Sequence, residues 1–203
     1  MEMNDSNALP KSGAKTSGPN LSTPSFTETE FLSLDASELI SYILEKHHHY
    51  VEEKVPVLNY MLDQLYVKEG PENRTIENLH TLFKISSISL LNHLKKEENI
   101  LFPHILAMEF ALKSQQNVHL PSFGSVDNPI AVLNQDHENE GQLFATISEL
   151  THQYTPPQDA SELQLATYSL LREFELNLKQ HIHLEDHLLF PKAKELECCF
   201  TLV

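Results

Sequence analysis

The chain has 203 residues, 40% of them hydrophobic, which suffices for one ordinary domain with a single core plus a tail. Its 29 Asp and Glu against 14 Lys and Arg leave a formal charge of −15, which repels phosphate backbones and anionic headgroups and argues against nucleic acid as a partner. Met1 to Asn7 lack the basic start and apolar stretch of a secretion signal, no apolar run approaches the ~20 residues of a membrane helix, and the two cysteines, Cys198 and Cys199, are neighbours unable to form a disulfide framework. The expectation is a protein of the reducing cytoplasm with no membrane partner.

Asn4 to Thr29 mix Ser, Thr, Pro, Gly, Asn and Lys with few apolar groups, too few to offset the entropy of ordering, so residues 1–34 read as a disordered N-terminal tail and 35–203 as the folded domain. A first helix opens behind Asp35 or Ser37 as cap. It shows Leu44, Val51, Leu58 and Leu65 in one row and His48, Val55 and Leu62 in a second. Gly70-Pro71 mark a turn. A second helix follows with Leu79, Phe83, Leu90, Leu94 and Leu101, ending near Lys113, and Asn117 to Asn128 read as a loop. A third helix begins at about Pro129 and carries Val132, Leu133, Phe144, Ile147 and Leu150 before Pro156-Pro157 stop it. A fourth runs from about Asp159 with Leu163, Leu170, Phe174, Leu178 and Leu188 as its stripe, continuing toward Leu196. Four long helices and no strand pattern predict an all-α fold, an antiparallel up-down four-helix bundle.

The polar residues repeat. The second helix contains His93-x3-Glu97-x4-Phe102-Pro103 and the fourth contains His181-x3-Glu185-x4-Phe190-Pro191. Each is preceded by a helix with one histidine at a core position, His48 and His137, lying 45 and 44 residues upstream. Spacing of four places His93 over Glu97 and His181 over Glu185 on one face. Continuing those faces puts His93 in line with Ile100, His181 with Phe174 and Leu188, and Glu185 with Leu178, all apolar, so the polar groups face the core. Two carboxylates among four imidazoles in a core need compensation, which divalent cations provide. Six ligands exceed one tetrahedral zinc and suit two metals sharing carboxylates. Imidazole with carboxylate and no thiolate favours two iron ions, with manganese and zinc open to the same donors.

A single His-x3-Glu pair is usually a surface pair of neighbours, and His48–Glu52 and His49–Glu53 are read so, with both glutamates solvated. In the run His47-His48-His49 the register favours His48 as the ligand, its neighbours lying ~100° to either side. His80, His104, His119, His152, His183 and His187 have no repeat partner and read as surface or supporting residues. Cys198-Cys199 read as a partly buried apolar end, there being no further thiol to complete a metal site.

Three stretches, His93-Leu-Lys-Lys-Glu97-Glu-Asn-Ile-Leu-Phe-Pro103, Asp136-His137-Glu138 with Gly141, and His181-Ile-His-Leu-Glu185 through Phe190-Pro191, resemble the haemerythrin-like HHE domain and, more closely, the iron-sulfur cluster repair family (RIC, ScdA, YtfE). The likeness spans about Asp35 to Glu195. It implies a di-iron centre ligated at His48, His93, His137 and His181 and bridged by Glu97 and Glu185. It also implies a stress-response protein that restores iron-sulfur clusters damaged by nitric oxide or oxidants, with iron donation as a route and damaged iron-sulfur proteins as partners. Binding or sensing of dioxygen or nitric oxide, and reduction of nitric oxide, would use the same six residues. Members of that family commonly open with a small module bearing a Cys-Cys-Gly-Gly signature, which the tail before Asp35 does not show.

Overall fold

The computed structural model describes residues 28–119 and 121–201. The tail reading for residues 1–27 lies outside them. Within the stretch read as tail, a short helix α1 (Glu28–Ser33) tucks Phe31 into the core, its ring meeting Tyr42 edge-on at 4.9 Å. Four long helices follow: α2 (residues 36–69), α3 (74–113), α4 (Asp127–Leu150) and α5 (162–201). Each packs on the next, and α5 closes on α2, giving the antiparallel bundle, with no strand among the described residues. No helix among them is long and apolar enough to cross a membrane.

The helix starts follow local chemistry. Asp35 caps α2 in a capping box with Glu38, Asn73 accepts from the Thr75 and Ile76 amides at the start of α3, and Ser161 caps α5. α4 ends at Leu150, before the prolines, through a tight turn in which His152, Gln153 and Tyr154 have φ between 49° and 59°. Two starts are also capped from a distance. Glu109 of α3 accepts from the Ala36 and Ser37 amides at 3.0 and 3.1 Å, and Glu197 of α5 accepts from the Val126 amide at 2.8 Å. Each of these carboxylates stands twelve residues beyond the glutamate of its own His-x3-Glu pair, so the internal repeat extends to the caps.

Three of the four long helices contain one π-turn: Leu44–His48 in α2, Glu97–Leu101 in α3 and Glu185–Leu189 in α5. The His49, Phe102 and Phe190 amides reach back five residues, to the carbonyls of Leu44, Glu97 and Glu185. In α3 and α5 the following Pro103 and Pro191 have no amide to give to an α-helical ladder, so they sit where that ladder is already interrupted. In α2 Tyr50 stands in that place, and α4 has no π-turn.

Each π-turn shifts the helical register by about one residue, ~100°. Two expectations about apolar residues fail for that reason. Ile100, expected in the buried line of His93, is 45% exposed and Leu101 takes the inward place, while in α2 Ile43 is buried and Leu44 only half-buried. Val132, expected on the core face of α4, is also exposed; the inward row there is Ile130, Leu133, His137, Glu140 and Phe144.

The core is two apolar clusters. One holds Leu39, Ile43, Leu101, Ile105, Ile130, Leu184 and Phe190; the other holds Val51, Leu58, Phe83, Leu94, Phe144, Phe174 and Leu178. In every long helix the residues of the polar repeat stand where one cluster gives way to the other, so a polar layer crosses the bundle at the division of the apolar interior.

Candidate metal centre

The structure brings together all six residues that the sequence singled out. None is more than 6% exposed, and Glu97, His181 and Glu185 are fully buried. They fall into two groups of four whose donor atoms all lie within 4.8 Å of one another: His48 and His181 in one, His93 and His137 in the other, with Glu97 and Glu185 in both.

The carboxylates account for the shared membership. Glu97 Oε2 lies 3.3 Å from His48 Nε2, while its Oε1 lies 3.3 Å from His93 Nε2. Glu185 Oε1 lies 3.0 Å from His181 Nε2, while its Oε2 lies 3.2 Å from His137 Nε2. Each carboxylate therefore sets one oxygen in each group. The imidazoles of a group meet through Nε2, at 3.2 Å for His48 and His181 and 3.2 Å for His93 and His137. Such spacings suit atoms sharing one cation with bonds of about 2.1 Å.

A second ring of carboxylates fixes the imidazoles. His48 Nδ1 donates to Glu98 at 2.7 Å, His137 Nδ1 to Asp186 at 2.8 Å and His93 Nδ1 to Asp136 at 3.4 Å. A proton held on Nδ1 leaves the Nε2 lone pair free for a metal. Glu98 and Asp186 each follow the carboxylate of a His-x3-Glu pair, and that repetition stood in the sequence as a signal that was not used.

Without a cation the layer is electrostatically awkward. Burial and the neighbouring Glu185 charge push the Glu97 carboxyl well above its usual range, with His48 opposing. Burial pushes Glu185 the same way, but the His181 and His137 imidazoles outweigh it and hold that carboxyl well below the usual range. Burial lowers the His137 imidazole, yet Asp186 and Glu185 more than reverse this and carry it up to about 10. For His181 burial wins, lowering it to about 4 against the pull of Glu185. Four of the carboxylate oxygens, both of Glu97 and both of Glu185, are buried without a hydrogen-bond donor, which is the condition a cation relieves.

Two buried polar residues of this region escaped sequence reasoning. His47 is 1% exposed, not displaced from the core; its Nδ1 meets Asn177 Oδ1 at 3.2 Å, and the π-turn in α2 accounts for its inward turn. Glu140 is buried one turn beyond His137 and accepts from Ser86 Oγ at 2.7 Å. Glu52 and Glu53 are exposed, as expected, whereas Cys198 and Cys199, expected to be partly buried, are exposed and free.

A layer of buried histidines and carboxylates across a four-helix bundle defines a cation-binding class of helical proteins. Residues 39–193 match the Hemerythrin HHE cation binding domain, and the chain belongs to that family. More particularly, it is 30% identical over 173 residues to the iron-sulfur cluster repair protein YtfE of Yersinia pseudotuberculosis serotype IB (strain PB1/+) and to that of Yersinia pestis (strain Pestoides F). Each alignment covers 85% of this chain and 72% of the relative.

Proposed function

We propose that the protein holds two iron ions, one between His48 and His181 and one between His93 and His137, bridged by Glu97 and Glu185, and that it serves the repair of damaged iron-sulfur clusters by giving up iron to them. The observation that carries the two-ion reading is the placing of one oxygen of each carboxylate in each donor group. Charge agrees with it: Glu97, Glu98, Asp136, Glu185 and Asp186, offset by Lys96 on Asp136 at 2.6 Å, balance two divalent cations. The imidazole and carboxylate donors, with no thiolate among them, suit iron, and the repair role is supported by the relatives, which carry that function in their names.

The test is direct. Iron-loaded protein, incubated with an enzyme whose iron-sulfur cluster has been damaged by nitric oxide, restores that enzyme's activity and loses iron stoichiometrically, while Glu97→Gln and Glu185→Gln protein does neither. Restoration without iron leaving the protein would refute donation.

A second reading has its own support. Each group offers four protein donor atoms, and iron with two histidines and carboxylate oxygen commonly retains open positions. Those positions suit dioxygen or nitric oxide. A binder or sensor keeps both metals through repeated ligand cycles, which separates this reading from iron donation.

A further inference from the structure

The two donor groups match in the atoms they offer a cation and differ in what stands behind them. In the His93 and His137 group both imidazoles have a carboxylate at Nδ1: Asp136 at 3.4 Å and Asp186 at 2.8 Å. In the other group His48 has Glu98 at 2.7 Å, but His181 Nδ1 is buried with no protein acceptor. The repeat shows why. Asp136 directly precedes His137 and reaches across to His93; the corresponding residue, directly before His48, is His47. His47 does face His181, with ring centroids 5.7 Å apart and planes within 16°, but it makes no hydrogen bond to it and turns its own Nδ1 to Asn177.

A carboxylate behind an imidazole raises its basicity and fixes its orientation, and losing one such partner typically costs about 10-fold to 100-fold in metal affinity. We propose that the two halves of the centre hold their cations unequally: His48 and His181 form the weaker half, which releases its cation first, because His47 occupies the place of the carboxylate that Asp136 supplies to the other half. The Asp136 contact is longer than its counterparts and is shared with Lys96, which narrows the difference without removing it, since His181 has no acceptor at all. This inference rests on the two-cation reading above and deepens it, by assigning which half of the centre is the releasable store.

The experiment uses the full chain loaded with ferrous iron under anaerobic conditions and mixed with an excess of a colorimetric ferrous chelator. Two phases of equal amplitude are expected, separated in rate by about 10-fold or more. His47→Asp restores a carboxylate behind His181 and slows the faster phase toward the slower. Asp136→Asn, nearly equal in volume, removes the other carboxylate and speeds the slower phase by about 10-fold while leaving the faster one in place. General damage to packing would speed both phases, so a slowing by His47→Asp has no such explanation. If His47→Asp does not fold, Asp136→Asn carries the test alone. Two irons leaving wild-type protein in a single phase, or Asp136→Asn accelerating both phases equally, overturns the inequality. Protein that takes up no iron overturns the two-cation reading itself, a different and separable failure.

Discussion

The polar layer and the apolar cluster beside it are buried to the same degree, and they are stable for opposite reasons. Phe83 and Phe144 lie in the second cluster with their rings 5.8 and 5.7 Å from that of Phe174, and the burial of all three is favourable whatever the solution contains. His48, His93, Glu97, His137, His181 and Glu185 bring buried charge and unpaired carboxylate oxygens with them, which cations would neutralise. The comparison teaches that burial is not one thing: the first region stabilises the fold by itself, and the second would tie part of the fold's stability to bound cations.

The largest expected effect breaks the first region. Phe174→Ala lowers unfolding free energy by about 3–5 kcal/mol in metal-loaded and metal-free protein alike, while the bound metal per chain is unchanged; denaturant titration with metal analysis checks both parts. Metal removal breaks only the second region. Stripping it from wild type costs about 2.7 kcal/mol per cation if the free ion stood at about 100 times its dissociation constant, and metal-free Glu97→Gln is more stable than metal-free wild type because one buried carboxylate is gone. A calorimetric midpoint for metal-free Glu97→Gln at or below the wild-type value would contradict this. Asp186→Asn leaves the fold intact and weakens metal binding by about 10-fold to 100-fold, read by competition with a chelator of known affinity.

The smallest effect is a difference in sign. In the metal-free protein the His137 imidazole is raised to about 10, so its contribution to stability is complete below the unfolded value of about 6.5 and is lost as pH climbs through about 10. A cation at that nitrogen must displace the same proton, so metal affinity rises with pH over that window, and uptake at pH 7 to 8 releases protons. Metal binding followed by calorimetry in two buffers of different ionisation enthalpy reveals this release. Uptake with no proton release would show that His137 is not a ligand.

How far the sequence reached follows the same division. The six residues of the layer were legible because chance does not repeat His-x3-Glu-x4-Phe-Pro behind a core histidine in both halves of a chain. What remained hidden depended on register. A strict 3.6-residue period cannot see a π-turn, so Ile100 was expected inward and His47 outward. The two Phe-Pro pairs offered a hint, since a proline removes one amide from the ladder of a long helix, but Pro56 sits inside α2 with no π-turn of its own, so proline alone does not announce one. Other features need three dimensions: Glu109 and Glu197 reach across more than seventy residues to cap α2 and α4, and no local pattern announces them.

The π-turn of α3 also gives the chain room to lose a residue. Asn99 and Ile100 are exposed, and a substitution at either would pass almost unnoticed. Deleting one of them would close the π-turn into an ordinary α-turn and leave Leu101 seven residues after His93, on the same face. Ile105 and Met108 would keep their inward places, and the Glu109 carboxylate would keep its reach to the Ala36 and Ser37 amides. A further residue inserted there has no such slack and would turn Phe102–Lys113 by about 100° about its axis. Here the backbone can lose a letter that it could not gain.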